Sequence, residues 1–190
     1  MVLRNTIGME FKPLKGGTFT MGVREGAHKV SLTKLFEMGV HEVAQEQYEN
    51  VMGKNPSYFK GAQNPVEQVS WDEAVEFCRK LSELPAEKAT GRTYRLPTEA
   101  EWEKAARGED ERPYPWGPRF TEGERCNGGG AVGMTTPVDE YPEGRSEYGV
   151  WDLCGNVYEW CNDFYDEEYY KNSPSTNPKG PEGGQERAER

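Results

Sequence analysis

The sequence predicts a single domain that mixes short strands with a few helices and much irregular chain, and three observations lead there. At 190 residues the chain is long enough to bury a core without covalent staples. Twenty-two glycines and thirteen prolines, with only 34% apolar residues, fit a turn-rich fold and exclude a helical bundle or coiled coil. Two helices with capping boxes stand between short apolar runs on one side and Gly/Pro-rich chain on the other.

Residues 8–43 alternate short apolar runs with glycine and charge, which predicts three or four short strands. A helix is expected over residues 44–52 with Tyr48, Val51 and Met52 inward, although Ala44 forgoes a side-chain cap. In "VSWDEAVEFCRKLSEL", Ser70 and Glu73 form a capping box and Trp71, Ala74, Val75, Cys78 and Leu81 share one face, so Cys78 is expected in the core. In "RLPTEAEWEKAARG", Thr98 pairs with Glu101, Ala105 and Ala106 lie inside, and Gly108 stops the helix. From residue 109 onward, long loops pinned by Tyr114, Trp116 and Tyr141 are expected, and residues 172–190, nearly free of apolar side chains, are expected to be mobile or poorly packed.

Twenty-three basic against thirty-three acidic residues give a net charge of −10, which disfavours nucleic acid and anionic membrane surfaces as partners. No apolar run resembles a signal peptide or a membrane span, so a cytoplasmic protein is expected. On that reading the cysteines, Cys78, Cys126, Cys154 and Cys161, are reduced thiols. Zinc fits them poorly, because no C-x-x-C pair occurs and His28 and His41 are remote in sequence. With no neighbouring base, Cys154 and Cys161 read as buried structural residues, and the acidic run "DFYDEEYY" as a solvated face.

Four segments in order, "NPVEQVSWDEAVEFCRKL", "YRLPTEAEWEKAARG", "TTPVDEYP" and "YGVWDLCGNVYEWCNDFY", resemble the formylglycine-generating enzyme family, also called the sulfatase-modifying-factor domain. The resemblance runs from about Asn5 to about Pro181. It implies an α+β, C-type-lectin-like fold: a small twisted antiparallel sheet, two main helices and a loop-rich second half. One domain is then expected over residues 1–181, incomplete at its C-terminal end, with residues 182–190 a mobile tail. The stretch from Arg95 to Trp102 is carried over as structural.

The family uses the turn equivalent to "WDLCGNVYEW" as a calcium site, and the resemblance maps its ligands onto Asp152, Gly155, Val157 and Glu159. One side-chain oxygen, two carbonyls and a glutamate suit a hard cation that takes six to eight oxygens. The residues alone also allow a plain tight turn at Gly155-Asn156 with no metal. A second family calcium site maps onto Asn127, but the expected downstream aspartate is missing, so that site reads as degenerate.

Family enzymes oxidise a sulfatase cysteine with oxygen and a copper ion held by two C-terminal cysteines, after an Arg-Gly-Gly-Ser-Trp motif. This chain ends at "GGQERAER", where that motif is expected to start, and none of its four cysteines matches the copper positions, so copper is not expected here. The implied function is a non-catalytic, calcium-stabilised binding module that presents loops to a protein, peptide or glycan. The fold is shared by variable ligand-binding proteins diversified by retroelements, and Tyr114, Trp116, Tyr158 and Trp160 are the candidate ligand contacts. The alternative is a piece of a copper-dependent formylglycine-generating oxidase. Iron-dependent sulfur–carbon chemistry, known in related proteins, needs a histidine cluster that two scattered histidines do not supply.

Overall fold

The computed structural model describes residues 2–120, 124–130 and 132–190. Strands β1 (Leu3–Arg4), β2 (Glu10–Leu14) and β5 (Phe36–Gly39) form an antiparallel sheet in the order β1-β2-β5. Pro13 is tolerated in the middle strand because β1 pairs only as far as Phe11, which leaves no ladder partner on that side of Pro13. Strands β3 (Gly17–Met21) and β4 (His28–Leu32) pair separately, with Phe19, Met21, Val30 and Leu32 alternating into the core. The early segment thus contains the expected short strands.

Helix α1 (Gln45–Met52) starts after Ala44, whose amide is held by the Gln47 side chain at 3.0 Å in place of the missing cap. Helix α2 (Trp71–Glu83) begins at the Ser70–Glu73 capping box, but its buried face is Phe77 and Leu81, with Cys78 packed at the margin. Helix α3 (Pro85–Thr90) was not anticipated; Pro85 at its first position starts it and left-handed Gly91 ends it. Helix α4 (Glu99–Arg107) runs from Thr98 to Gly108 as expected.

The last segment departs from expectation. Strand β6 (Trp160–Phe164) pairs antiparallel with β7 (Arg187–Glu189), so part of the expected mobile tail is a strand with Ala188 2% exposed. Side chains absent from an apolar count hold it: the Arg187 guanidinium lies 3.6 Å from the Trp71 ring centroid and 3.5 Å from that of Phe164. Arg190 bonds Glu103 at 2.7 Å and pairs with Glu99 at 3.1 Å on α4. Helix α4 is therefore central, packing Trp102, Ala105 and Ala106 against Leu14, Met38, Leu153, Cys161 and Ala188. That cluster anchors both ends of the turn described next.

Candidate functional site

The turn over residues 151–159 hangs between two fixed points. The Trp151 amide donates to the Val40 carbonyl at 2.9 Å, and Glu159 exchanges backbone hydrogen bonds with Arg190 at 2.8 and 2.9 Å. Between them the chain bends through two non-glycine residues in the left-handed region, Asp152 (φ 55°) and Asn156 (φ 68°). Gly155 is required on steric grounds, since a Cβ there would stand 2.6 Å from the Asn127 carbonyl oxygen.

Asn156 is the hub that sequence reasoning missed. Its Nδ2 donates to Glu42 Oε2 at 2.8 Å and to the Thr136 carbonyl at 3.1 Å, while its Oδ1 accepts from the Thr136 amide at 3.0 Å. Its own amide donates to the Asn127 carbonyl at 2.9 Å. Glu42, also missed, accepts from the Val157 amide at 3.2 Å. A signal for Glu42 was present: Met38, Val40 and Glu42 alternate inward from β5 and are all buried, so a charge occupies a core position.

Glu42, Asp152 and Glu159 form an acidic group that repels itself. Burial, then the charges of Asp152 and Glu159, holds Glu42 well above the usual carboxylate range. Burial, then Asp139, pushes Asp152 up to about 7, and burial, with Asp152 adding to it, pushes Glu159 up to about 8. Asp152 Oδ2 is buried without a hydrogen-bond partner. Among the described residues, the carbonyl oxygens of Gly155 and Val157 accept no hydrogen bond. Also among those residues, no three His, Cys, Asp or Glu side chains converge closely enough to hold a metal ion unaided. Any cation here would need the turn's carbonyl oxygens.

The other predicted site residues divide. Asn127 faces the turn, with Nδ2 donating to the Met134 carbonyl at 2.7 Å and lying 3.3 Å from Asn156 Oδ1, so it ties the glycine-rich stretch down. Tyr158, 79% exposed, and Trp160, whose indole donates to the Val69 carbonyl at 2.9 Å, stand on a ridge between two grooves of about 570 Å³ each. One groove is walled by Phe36, Met38, Phe77 and Tyr94 and reaches Glu42 and Glu159; the other is formed by Phe59, Val69, Met134 and glycines 128–130. Tyr114 and Trp116 border neither groove. They stack on each other at 5.6 Å beside Phe120 and pin their own loop.

Burial pushes Cys78 and Cys154 up to about 11, and raises Cys161 further. Among the described residues no helix is long and apolar enough to cross a membrane.

Small antiparallel sheets, few helices and a hub turn held by α4 define an α+β domain of the C-type-lectin-like kind. Residues 8–188 match the sulfatase-modifying factor enzyme 1-like domain, and the chain belongs to that family. It is similar to Treponema denticola variable protein 1, with a TM-score of 0.80 and 27% identity over 100% of this chain and 86% of that one. It is 39% identical over 137 residues to the formylglycine-generating enzyme of Streptomyces coelicolor, covering 64% of this chain and 39% of that protein. It is 31% identical over 206 residues to the chaperone protein LppX of Paenibacillus barcinonensis, covering 82% of this chain and 72% of LppX. The chain thus spans about two fifths of the length of the formylglycine-generating enzyme it matches.

Proposed function

We propose that this chain is a calcium-stabilised, non-catalytic binding module of the formylglycine-generating enzyme family, which recognises a protein, peptide or glycan across the ridge of Tyr158 and Trp160. The observation that carries it is the buried Asp152 Oδ2, without a hydrogen-bond partner, beside the buried Glu42 carboxyl. Asp152, Gly155, Val157 and Glu159 offer two carboxylates and two carbonyls, an all-oxygen set suited to a hard divalent cation. Bound calcium would neutralise the acids and fix the turn from which Tyr158 projects. Two grooves meeting at an exposed aromatic ridge support a binding role, and a variable protein as structural neighbour agrees with it.

The test is thermal unfolding with calcium and with chelator. A ligand bound only by the folded state stabilises by about 2.7 kcal/mol at a hundred times its dissociation constant, so chelation should lower Tm by several degrees. Glu159→Ala should abolish the difference. An identical Tm with calcium and chelator in the wild-type protein would leave Gly155-Asn156 as a turn without metal.

A second reading, part of a copper-dependent oxidase acting on sulfatase cysteines, is favoured by the identity to the Streptomyces enzyme. Conversion of a target cysteine to formylglycine by this 190-residue chain with copper and oxygen would establish it over the first.

A further inference from the structure

Two cysteines beside the acidic site lie next to each other although 126 and 154 are far apart in sequence. Cys126 precedes the glycine-rich stretch Asn127–Gly130, and Cys154 sits within the 151–159 turn. The Asn156 amide bonds the Asn127 carbonyl at 2.9 Å, so the two segments are in backbone contact. The two thiols are near enough for Cys126 to act on the Cys154 thiol and help hold it protonated. The packing there is tight: a Cβ at Gly128 would stand 3.2 Å from Cys126 Sγ and 3.6 Å from the Cys154 carbonyl oxygen. Cys126 is 1% exposed, whereas Cys154 is partly exposed. The remaining thiols are elsewhere, Cys78 against the Phe77 cluster and Cys161 in the core beneath α4.

We propose that Cys126 and Cys154 form a reversible disulfide that staples the glycine-rich stretch to the turn carrying the acidic site. The arrangement gives each thiol a role in exchange with a small disulfide such as oxidised glutathione. The more exposed Cys154, ionised to a small extent because burial holds its thiol up, attacks one glutathione sulfur slowly as the thiolate; the S–S bond of glutathione disulfide breaks, and the departing thiolate takes up the proton Cys154 lost. The Cys126 thiolate then attacks Cys154 Sγ, the mixed disulfide breaks, and the second glutathione leaves with the proton from Cys126. Two protein thiols are oxidised by two electrons in total, and one glutathione disulfide is reduced to two glutathiones. The closed bond removes freedom from the unfolded chain and so raises thermal stability.

The experiment takes the full chain through a glutathione redox series, then acid quench, alkylation after unfolding, and peptide mass mapping. The expected product is one internal cross-link between the Cys126 and Cys154 peptides, with Cys78 and Cys161 alkylated. Tm should rise by several degrees and fall back on reduction. Cys126→Ser should halt at a glutathione adduct on Cys154, with no rise in Tm. The proposal is overturned if all four thiols stay alkylatable across the series, if the cross-link joins another pair, or if the wild-type protein stops at the adduct. If Cys126→Ser does not fold, the wild-type mapping alone decides.

Discussion

Two groups of buried acids in this domain, one on α4 and one at the turn, are treated in opposite ways by the chain. On α4, Glu103 is 2% exposed and accepts from Arg107 at 2.6 Å, Arg190 at 2.7 Å and the Gly22 amide at 2.7 Å. Its neighbour Lys104, 1% exposed, bonds Glu109 at 2.8 Å and lies over the Phe19 ring. At the turn, Glu42 and Asp152 are 8% and 7% exposed, yet Glu42 meets only the Val157 amide and the Asn156 side-chain amide, and Asp152 keeps an oxygen without a partner. A buried charge neutralised within the chain is structural, because removing either partner exposes the cost of the other. A group of like charges that the chain leaves unneutralised takes a proton or a cation from outside.

The largest expected effect tests the first half of that contrast. Glu103→Ala takes an acceptor from two guanidiniums and from the Gly22 amide, and should cost about 3 kcal/mol, the low end of the range for breaking a buried ion pair, because Arg190 keeps Glu99 and Arg107 keeps the Gly22 carbonyl. Urea denaturation measures it. A loss below about 1 kcal/mol would mean that the α4 cluster is as screened as a surface pair, and the contrast would fail.

Deleting an acid at the turn should have the opposite sign in the metal-free protein. Asp152→Asn keeps a side-chain oxygen but removes one of the like charges, and should stabilise the chelated protein by roughly 2 kcal/mol at pH 8. The sign follows from the titrations. Asp152 and Glu159 are raised to about 7 and about 8 in the folded chain, so between about pH 4 and pH 8 the folded state binds more protons than the unfolded one. Stability of the metal-free protein therefore falls as pH rises through that window, by up to about 1.4 kcal/mol per unit for each such group. Denaturation midpoints in chelator from pH 5 to pH 8 should fall for the wild-type protein and fall less for Asp152→Asn. A flat wild-type profile would mean that the turn acids do not oppose one another.

The two regions also differed in how far they could be read in advance. Helix α4 was legible because its signals are local: Thr98, Glu101 and Gly108 mark both ends within one stretch of chain. The turn was legible only in part. Asp152, Gly155, Val157 and Glu159 lie in one motif, but Glu42 and Asn127 reach it across 110 and 29 residues of sequence from Asp152 and Asn156, as Asn156 shows by bonding both. Those contacts depend on tertiary placement. Strand β7 was missed for a related reason: Arg187 and Arg190 count as solvated by composition, whereas aromatic faces and α4 acids make them anchors. Tyr114 and Trp116, expected both to pin their loop and to be candidate contacts, stack on each other within that loop.

The smallest expected effect asks whether the two regions are energetically separate. Thr98 Oγ1 accepts from the Glu101 amide at 3.2 Å at the start of α4, and Glu101 returns a bond to the Thr98 amide at 2.8 Å. Thr98→Ala should cost about 1 kcal/mol, as removal of a side-chain cap does. Because the cap shares no hydrogen-bond partner with the turn acids, its cost should add to the gain from Asp152→Asn within about 0.5 kcal/mol. The double variant in chelator should thus be more stable than the wild-type protein by roughly 1 kcal/mol, the difference of the two single effects. A departure from additivity beyond about 1 kcal/mol would show that α4 transmits strain into the turn through Trp102 and Leu153, which share its core. Charge pairing on the helix and charge crowding at the turn would then be parts of one coupled network.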